Sequence, residues 1–256
     1  MKAPLFSLLL FIAIFRYRER IRTERLELQL SVLENEQRAL TAQINPHFIY
    51  NAMNSVQYYV LEEERAKAAD LLAQFSNLMR KVLTNTKSSL ISLEEELSIL
   101  KLYLTLEKER FEHRFEYSFE VADSLDTDAL SIPSMVVQPH IENAIWHGLL
   151  PKSDGVARLT VAVHDMGNSI DWVITDNGVG RGSQKQAATH VLKRQGGYTS
   201  SGIRLTERRL NLLAQKTGKG YAIRIADLKS ESGEPLGTEV TITMAKDDQP
   251  ANVHHR

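Results

Sequence analysis

The spacing of apolar residues changes once along this chain, near Phe111, and that change limits how it can fold. Before it the period is helical. Ala68, Leu71, Leu72, Phe75, Leu78, Met79 and Val82 share one face of a helix over 65–85. Residues 45–61 form another helix past Pro46, and SLEEELSILKLYLTLEKERF opens with a capping box, Ser92 and Glu95, and runs to Phe111. After the change, FEYSFEV (115–121), RLTVAVHD (158–165), SIDWVITD (169–176), YAIRIAD (221–227) and TEVTITM (238–244) alternate as strands do. Two helical stretches interrupt them, 133–149 with Pro133 in its first turn and 201–215. Helices first, then strands and helices without regular βαβ spacing, predict an α+β fold. A helical region would precede a two-layer sandwich whose mixed sheet carries helices on one face.

Composition narrows the chemistry. The 31 basic and 32 acidic side chains leave a net charge of −1, which gives no electrostatic case for direct nucleic-acid binding. With no cysteine there is no disulfide, thiolate metal site or thiol nucleophile. At the N-terminus APLFSLLLFIAIF (3–15) is followed at once by RYRERIR. Thirteen helical residues reach about 20 Å against a hydrocarbon core of about 30 Å. Residues 1–18 are therefore expected to be a membrane anchor, a truncated transmembrane helix with its Arg cluster on the cytoplasmic flank. A secretory signal is the rival, without a small-residue cleavage site, and a buried or interfacial helix is another. Leu26, Leu30, Leu33, Leu40 and Ile44, with Gln37 in the one polar slot, space as 4-3-4-3-4. That predicts a coiled-coil stalk over 19–44 in a parallel homodimer, or else one amphipathic helix docked on its own domain. The remaining expected divisions are 45–112 (helical), 113–246 (sheet-bearing) and a disordered tail, 247–256.

Four short stretches carry chemistry. In HIENAIWHG, helical spacing is expected to gather Glu142, Asn143 and His147, a set with oxygen ligands suited to Mg²⁺; a plain polar helix face is the bland alternative. DNGVG (176–180) follows a strand directly; it reads as a hairpin turn, or as a place where backbone approaches a ligand closely with Asp176 accepting from an amine. After a polar, Gly-rich segment over 181–200, with the character of a lid, SGIRL opens a helix at Gly202, and helix N-termini favour phosphate. LGTEV then starts a strand with Gly237 and Thr238.

That order resembles the ATP-binding domain shared by histidine kinases, type II topoisomerases, chaperone ATPases and mismatch-repair ATPases. The resemblance implies ATP and Mg²⁺ as cofactors. Asn143 would hold Mg²⁺ with Glu142 assisting at the phosphates, and Asp176 would receive the adenine amino group with Thr238 behind it. Gly178 and Gly180 would line the base pocket, and Gly202 would sit by the phosphates. NPHFIYNAMNS together with QPHIENAIWHG is similar, more narrowly, to the LytS-like sensor histidine kinases over about residues 40–245. This implies that His47 takes the γ-phosphoryl group and passes it to an aspartate on a response regulator, often of the LytTR type. The kinase portion would lie in the cytoplasm at the inner membrane.

Local physics agrees with that role. Asn45 can cap, and Pro46 can begin, a new helix, or Pro46 can kink a continuous one. Either way His47 lies near free N–H groups, which disfavour the imidazolium and leave the neutral nucleophile. Asn51, one turn on, can orient the ring or a water. Two features depart from the wider class. Arg204 replaces the second glycine of the usual G-x-G, and Phe48 stands where most other histidine kinases have an acid. Two rival functions follow: an ATPase of the same fold with Glu142 activating water, and a degenerate, non-catalytic membrane scaffold.

Overall fold

The computed structural model describes residues 15–22, 46–85, 90–181, 203, 206–208, 210–211, 214 and 220–246, without the side chains of Pro46 and His47. The chain divides into two compact units, Met1–Asn45 and Pro46–Arg256. In the first, residues 15–22 are helical and exposed. No described helix is long and apolar enough to cross a membrane. Nearly all of the anticipated anchor and the whole seam from Leu26 to Ile44 lie outside the described residues, as do the lid segment beyond Arg181 and the tail.

The second unit opens with a helical hairpin, α1 (Pro46–Leu61) and α2 (Arg65–Asn85). Ala68, Leu71, Phe75, Leu78 and Val82 are buried, five of the seven positions that the spacing predicts, whereas Met79 is half-buried and Leu72, at the margin of the stripe, is exposed. Phe48, the residue after His47, is buried against two rings, Phe75 at 6.0 Å and Tyr103 at 5.3 Å between centroids.

A short strand, β1 (Leu90–Ser92), leads into α3 (Leu93–Arg110). Half of the expected capping box forms: the Glu95 N–H donates to Ser92 Oγ at 3.2 Å. The Glu95 carboxylate is taken instead by Lys81 Nζ, at 3.0 and 3.1 Å, and by Asn85 Nδ2 at 3.2 Å, which tie α3 to α2. Leu93, Leu97, Ile99, Leu100, Tyr103 and Leu104 are all buried, around most of the helix, as required where neighbours lie on two sides.

The fold is α+β. A mixed five-stranded sheet runs in the order β2-β4-β5-β7-β6, with β2 (Phe115–Val121), β4 (Ala157–Asp165), β5 (Ser169–Asp176), β6 (Tyr221–Lys229) and β7 (Pro235–Ala245). Among the described strands only the pair β2 and β4 is parallel. Along β5 burial alternates residue by residue, with Ile170, Trp172, Ile174 and Asp176 on the covered face. The described residues between 203 and 214 are helical, as 201–215 was expected to be.

One expectation fails. Residues 133–149 are not one helix starting at Pro133. Ser131–Pro133 is a strand, β3, paired with β1, and α4 (Gln138–Asn143) begins later with Pro139 in its first turn. The helix then widens to a π-helical turn over Ala144–Leu149. The delay has a tertiary cause. Met135 takes a φ of +56° while its N–H donates to the buried Glu96 carboxylate of α3 at 3.1 Å.

Leu100→Ala, at a fully buried position of α3, is expected to cost about 2–5 kcal/mol. Urea unfolding followed by far-ultraviolet circular dichroism checks this; an unchanged midpoint would show that α3 is not the shared core of helices and sheet.

Candidate functional site

The covered face of the sheet is built in rows, because residues directly opposite in antiparallel strands point the same way. Ile170–Met244–Tyr221 and Trp172–Ile242–Ile223 form its packed part. The next two rows, Ile174–Val240–Ile225 and Asp176–Thr238–Asp227, lie at the end of the sheet beside a cavity of about 360 Å³. Across that cavity stand Asn143, Ala144, His147 and Gly148 from α4 and the π turn. An apolar floor with polar groups at one end suits a flat heterocycle carrying an amine.

Asp176 is the buried charge at that end, 4% exposed. Its Oδ1 accepts the Gly178 N–H at 2.9 Å, and the Thr238 N–H also donates to its carboxylate. Desolvation dominates, raising its pKa to about 6, while those donors and Lys152 pull the other way. Three glycines let backbone crowd around it. A Cβ on Gly148 would stand 2.7 Å from Asp176 Oδ1, one on Gly178 would collide with the Gly148 carbonyl group, and one on Gly237 with the Asp176 carbonyl oxygen. Gly237 also has a φ of +133°.

Among the described residues the DNGVG turn does not close a hairpin; it is bonded to two neighbours. The Val179 N–H donates to Gly148 O at 3.0 Å, fixing the turn to the π-helical segment. Asn177 Oδ1 accepts the Arg158 N–H at 2.7 Å and Asn177 Nδ2 donates to Val156 O at 2.9 Å, fixing it to the start of β4. Gly178 was expected to line the pocket. It backs onto Gly148 instead, whereas Gly180 reaches the cavity.

At the other end Asn143 and His147 line the cavity, as their one-turn spacing predicts. Burial lowers the pKa of His147, so at neutral pH it offers a neutral hydrogen-bonding ring. Glu142 does not join them. Its Oε1 accepts from Gln138 Nε2 at 3.0 Å, and its charge is felt by Tyr103, Glu107 and Arg110 of α3. The cavity takes the arc of the helix that carries His140, Asn143, Ala144, His147 and Gly148, and Glu142, about 100° before Asn143, falls outside it. Behind this helix Arg110 pairs with the buried Glu107 at 2.8 Å and lies over the Phe111 and Trp146 rings.

His47 is in the first turn of α1 and Asn51 one turn on; among the described residues no part of α1 lines the cavity. Gly202 and Arg204 lie outside the described residues. Sequence reasoning missed Gly148, Lys152, Arg181 and His140. Gly148 was findable, since a glycine closing a helical motif signals close backbone approach. Lys152 Nζ donates to Asn177 O at 2.7 Å, a bond between segments that spacing cannot show. His140 also lines the cavity, with burial lowering its pKa to about 4.

Asp176 carries a pH signature. With its folded pKa near 6, the folded state keeps a proton that the unfolded state has already lost. Stability therefore falls as pH rises from about 4 to 6 and stays lower above. Asp176→Asn should remove that loss. Relative to the parent it gains up to about 3 kcal/mol more at pH 8 than at pH 4. Thermal melts of both proteins at the two pH values check the sign.

Comparison with known proteins gives the family of the chain. The histidine kinase family model matches residues 35–115. Sensor protein LytS of Bacillus cereus is 33% identical over 223 residues, 86% of this chain and 36% of its own. Sensor histidine kinase YesM of Bacillus subtilis is 27% identical over 221 residues, 86% of this chain and 35% of its own. The chain thus spans about a third of the length of these relatives. Among solved structures, the mycobacterial sensor histidine kinase MprB is similar over 64% of this chain and 99% of its own, at 16% identity and a TM-score of 0.39. The chain belongs to the family of LytS-like sensor histidine kinases.

Proposed function

We propose that this chain is the ATP-dependent autokinase core of a sensor, and that His47 is its phosphoacceptor. The observation that carries the reading is the convergence of Asp176, Thr238, Asn143 and His147 on one cavity, in a chain whose relatives include a sensor histidine kinase. The base would lie on Ile174, Val240 and Ile225 with its amino group toward Asp176. The phosphates would run toward Asn143 and His147.

The residues fit Mg²⁺ in the manner usual for that ion. Among the described residues no three His, Asp or Glu side chains cluster as a metal cage, and Asn143 supplies one amide oxygen. The remaining positions would go to phosphate and water, and the ion would neutralise charge on the phosphates.

In the transfer, a ring nitrogen of neutral His47 attacks the γ-phosphorus in line. The bond to the β–γ bridging oxygen breaks, and ADP leaves with that electron pair. The phosphoryl group then passes to an aspartate oxygen of a response regulator, of the LytTR type by family habit. Phe48, held by Phe75 and Tyr103, fixes the start of α1, so positioning does most of the catalytic work. The exposed Tyr50, Tyr58, Leu72 and Leu83 of the hairpin support a homodimer. The apolar run before Arg16 would hold the assembly at the membrane. The hydrolytic alternative is disfavoured, because Glu142, its water-activating residue, does not line the cavity and accepts from Gln138 of its own helix.

Incubation with γ-labelled ATP is expected to give acid-labile, alkali-stable label on the protein, reduced at least a hundredfold in His47→Gln. Equal labelling of the mutant, or steady ATP turnover with no labelled protein, refutes the proposal.

A further inference from the structure

Arg181 directly follows the DNGVG turn and also lines the cavity. It leaves the turn on the β5 side, yet it is bonded to the far edge of the sheet. Its Nε donates to Asp227 Oδ1 at 2.6 Å and its Nη2 to Asp227 Oδ2 at 3.0 Å. Asp227 is on β6, opposite Thr238 of β7, which is itself opposite Asp176 of β5. Asp176, Thr238 and Asp227 thus form one row, spanning about 10 Å at two strand spacings. The arginine bridges that row from the motif turn to the edge strand.

The turn that launches it is fixed. Gly180 has a φ of +69°, and a Cβ there would stand 2.8 Å from the Pro235 Cβ. A guanidinium held at both Nε and Nη2 cannot rotate freely; the carboxylate sets its plane. The paired charges are 49% and 39% exposed, so the pair contributes little to folding stability. Its position at the cavity, on the row that contains Asp176, calls for another role.

Resting on the nucleotide reading above, we propose that Arg181, oriented by Asp227, is the base-stacking residue of this site. Its guanidinium face lies against a purine whose amino group meets Asp176. A planar cation on an aromatic face is attractive, and the attraction grows as water leaves. The Arg181–Asp227 clamp then contributes to affinity through the base, not through the phosphates.

Calorimetric titration of the full chain with adenosine and with Mg-ATP tests this. Arg181→Ala is expected to weaken both ligands by about the same factor, five- to tenfold. Arg181→Lys should restore little, because a lysine head offers no plane, and Asp227→Ala, which frees the guanidinium, should cost about threefold for both. Thermal melts should show all three variants folded. If Arg181→Ala weakens Mg-ATP but leaves adenosine unchanged, the guanidinium serves the phosphates and the proposal is overturned. If neither ligand changes, the pair is a surface salt bridge only, and the proposal is again overturned. If the parent protein binds neither ligand, the nucleotide reading itself is what fails.

Discussion

The burial of one carboxylate organises the sheet-bearing half of this protein. Asp176 ends β5 almost out of contact with water, and ionising it there is costly. The surrounding structure offsets that cost with backbone donors rather than cations at contact distance. Those donors must come close, so glycine is required at 148, 178 and 237, where any Cβ would strike the carboxylate or its neighbours. The same crowding joins the DNGVG turn, the π-helical segment and the start of β7 into one rigid corner. A site built this way binds through pre-set geometry, since little remains free to adjust.

The other half depends on α3. Its N-terminal turn is fastened to the 127–135 segment, where the Leu93 N–H meets Leu130 O at 2.8 Å and the Glu94 N–H meets Thr127 O at 2.9 Å. Its Glu95 holds α2 through Lys81 and Asn85, and its Tyr103 packs on Phe48 beside the candidate phosphoacceptor. Movement of α3 would therefore be felt both at His47 and at the helix bearing Asn143. Phe48 thereby gains a structural reason. An acid there would have been buried between two aromatic rings, whereas phenylalanine gives the helix start a fixed seat.

Much of this was legible in the amino-acid order. The strands appeared because alternation survives wherever one face of a sheet is covered: β5 runs from Ser169 to Asp176 and β2 from Phe115 to Val121, as read. The stripe on α2 was legible for the same reason at period 3.6. Asn143 and His147 were named from helical spacing, Asp176, Gly180 and Thr238 from motif order and the resemblance it carries, and all five line one cavity. What was illegible depended on partners distant in the chain. The β1–β3 pair joins two three-residue strands, each too short to show a period. The late start of α4 follows from a glutamate on α3, and the placement of Glu142 from which helix face the sheet happens to occupy.

The sequence by itself determined the elements and the inventory of chemical groups, because periodicity, caps and turn glycines act over a few residues. It also determined the kinship, since the two motifs stand in order along the chain. Only the tertiary structure decided which groups meet. It set Arg181 on Asp227 across a strand, left Glu142 out of the cavity, and gave Gly178 to the backbone packing rather than the cavity. The physical reason is register. Strand pairing and helix rotation fix side-chain direction to within one residue, and that choice is made by the whole core at once, not by any local stretch.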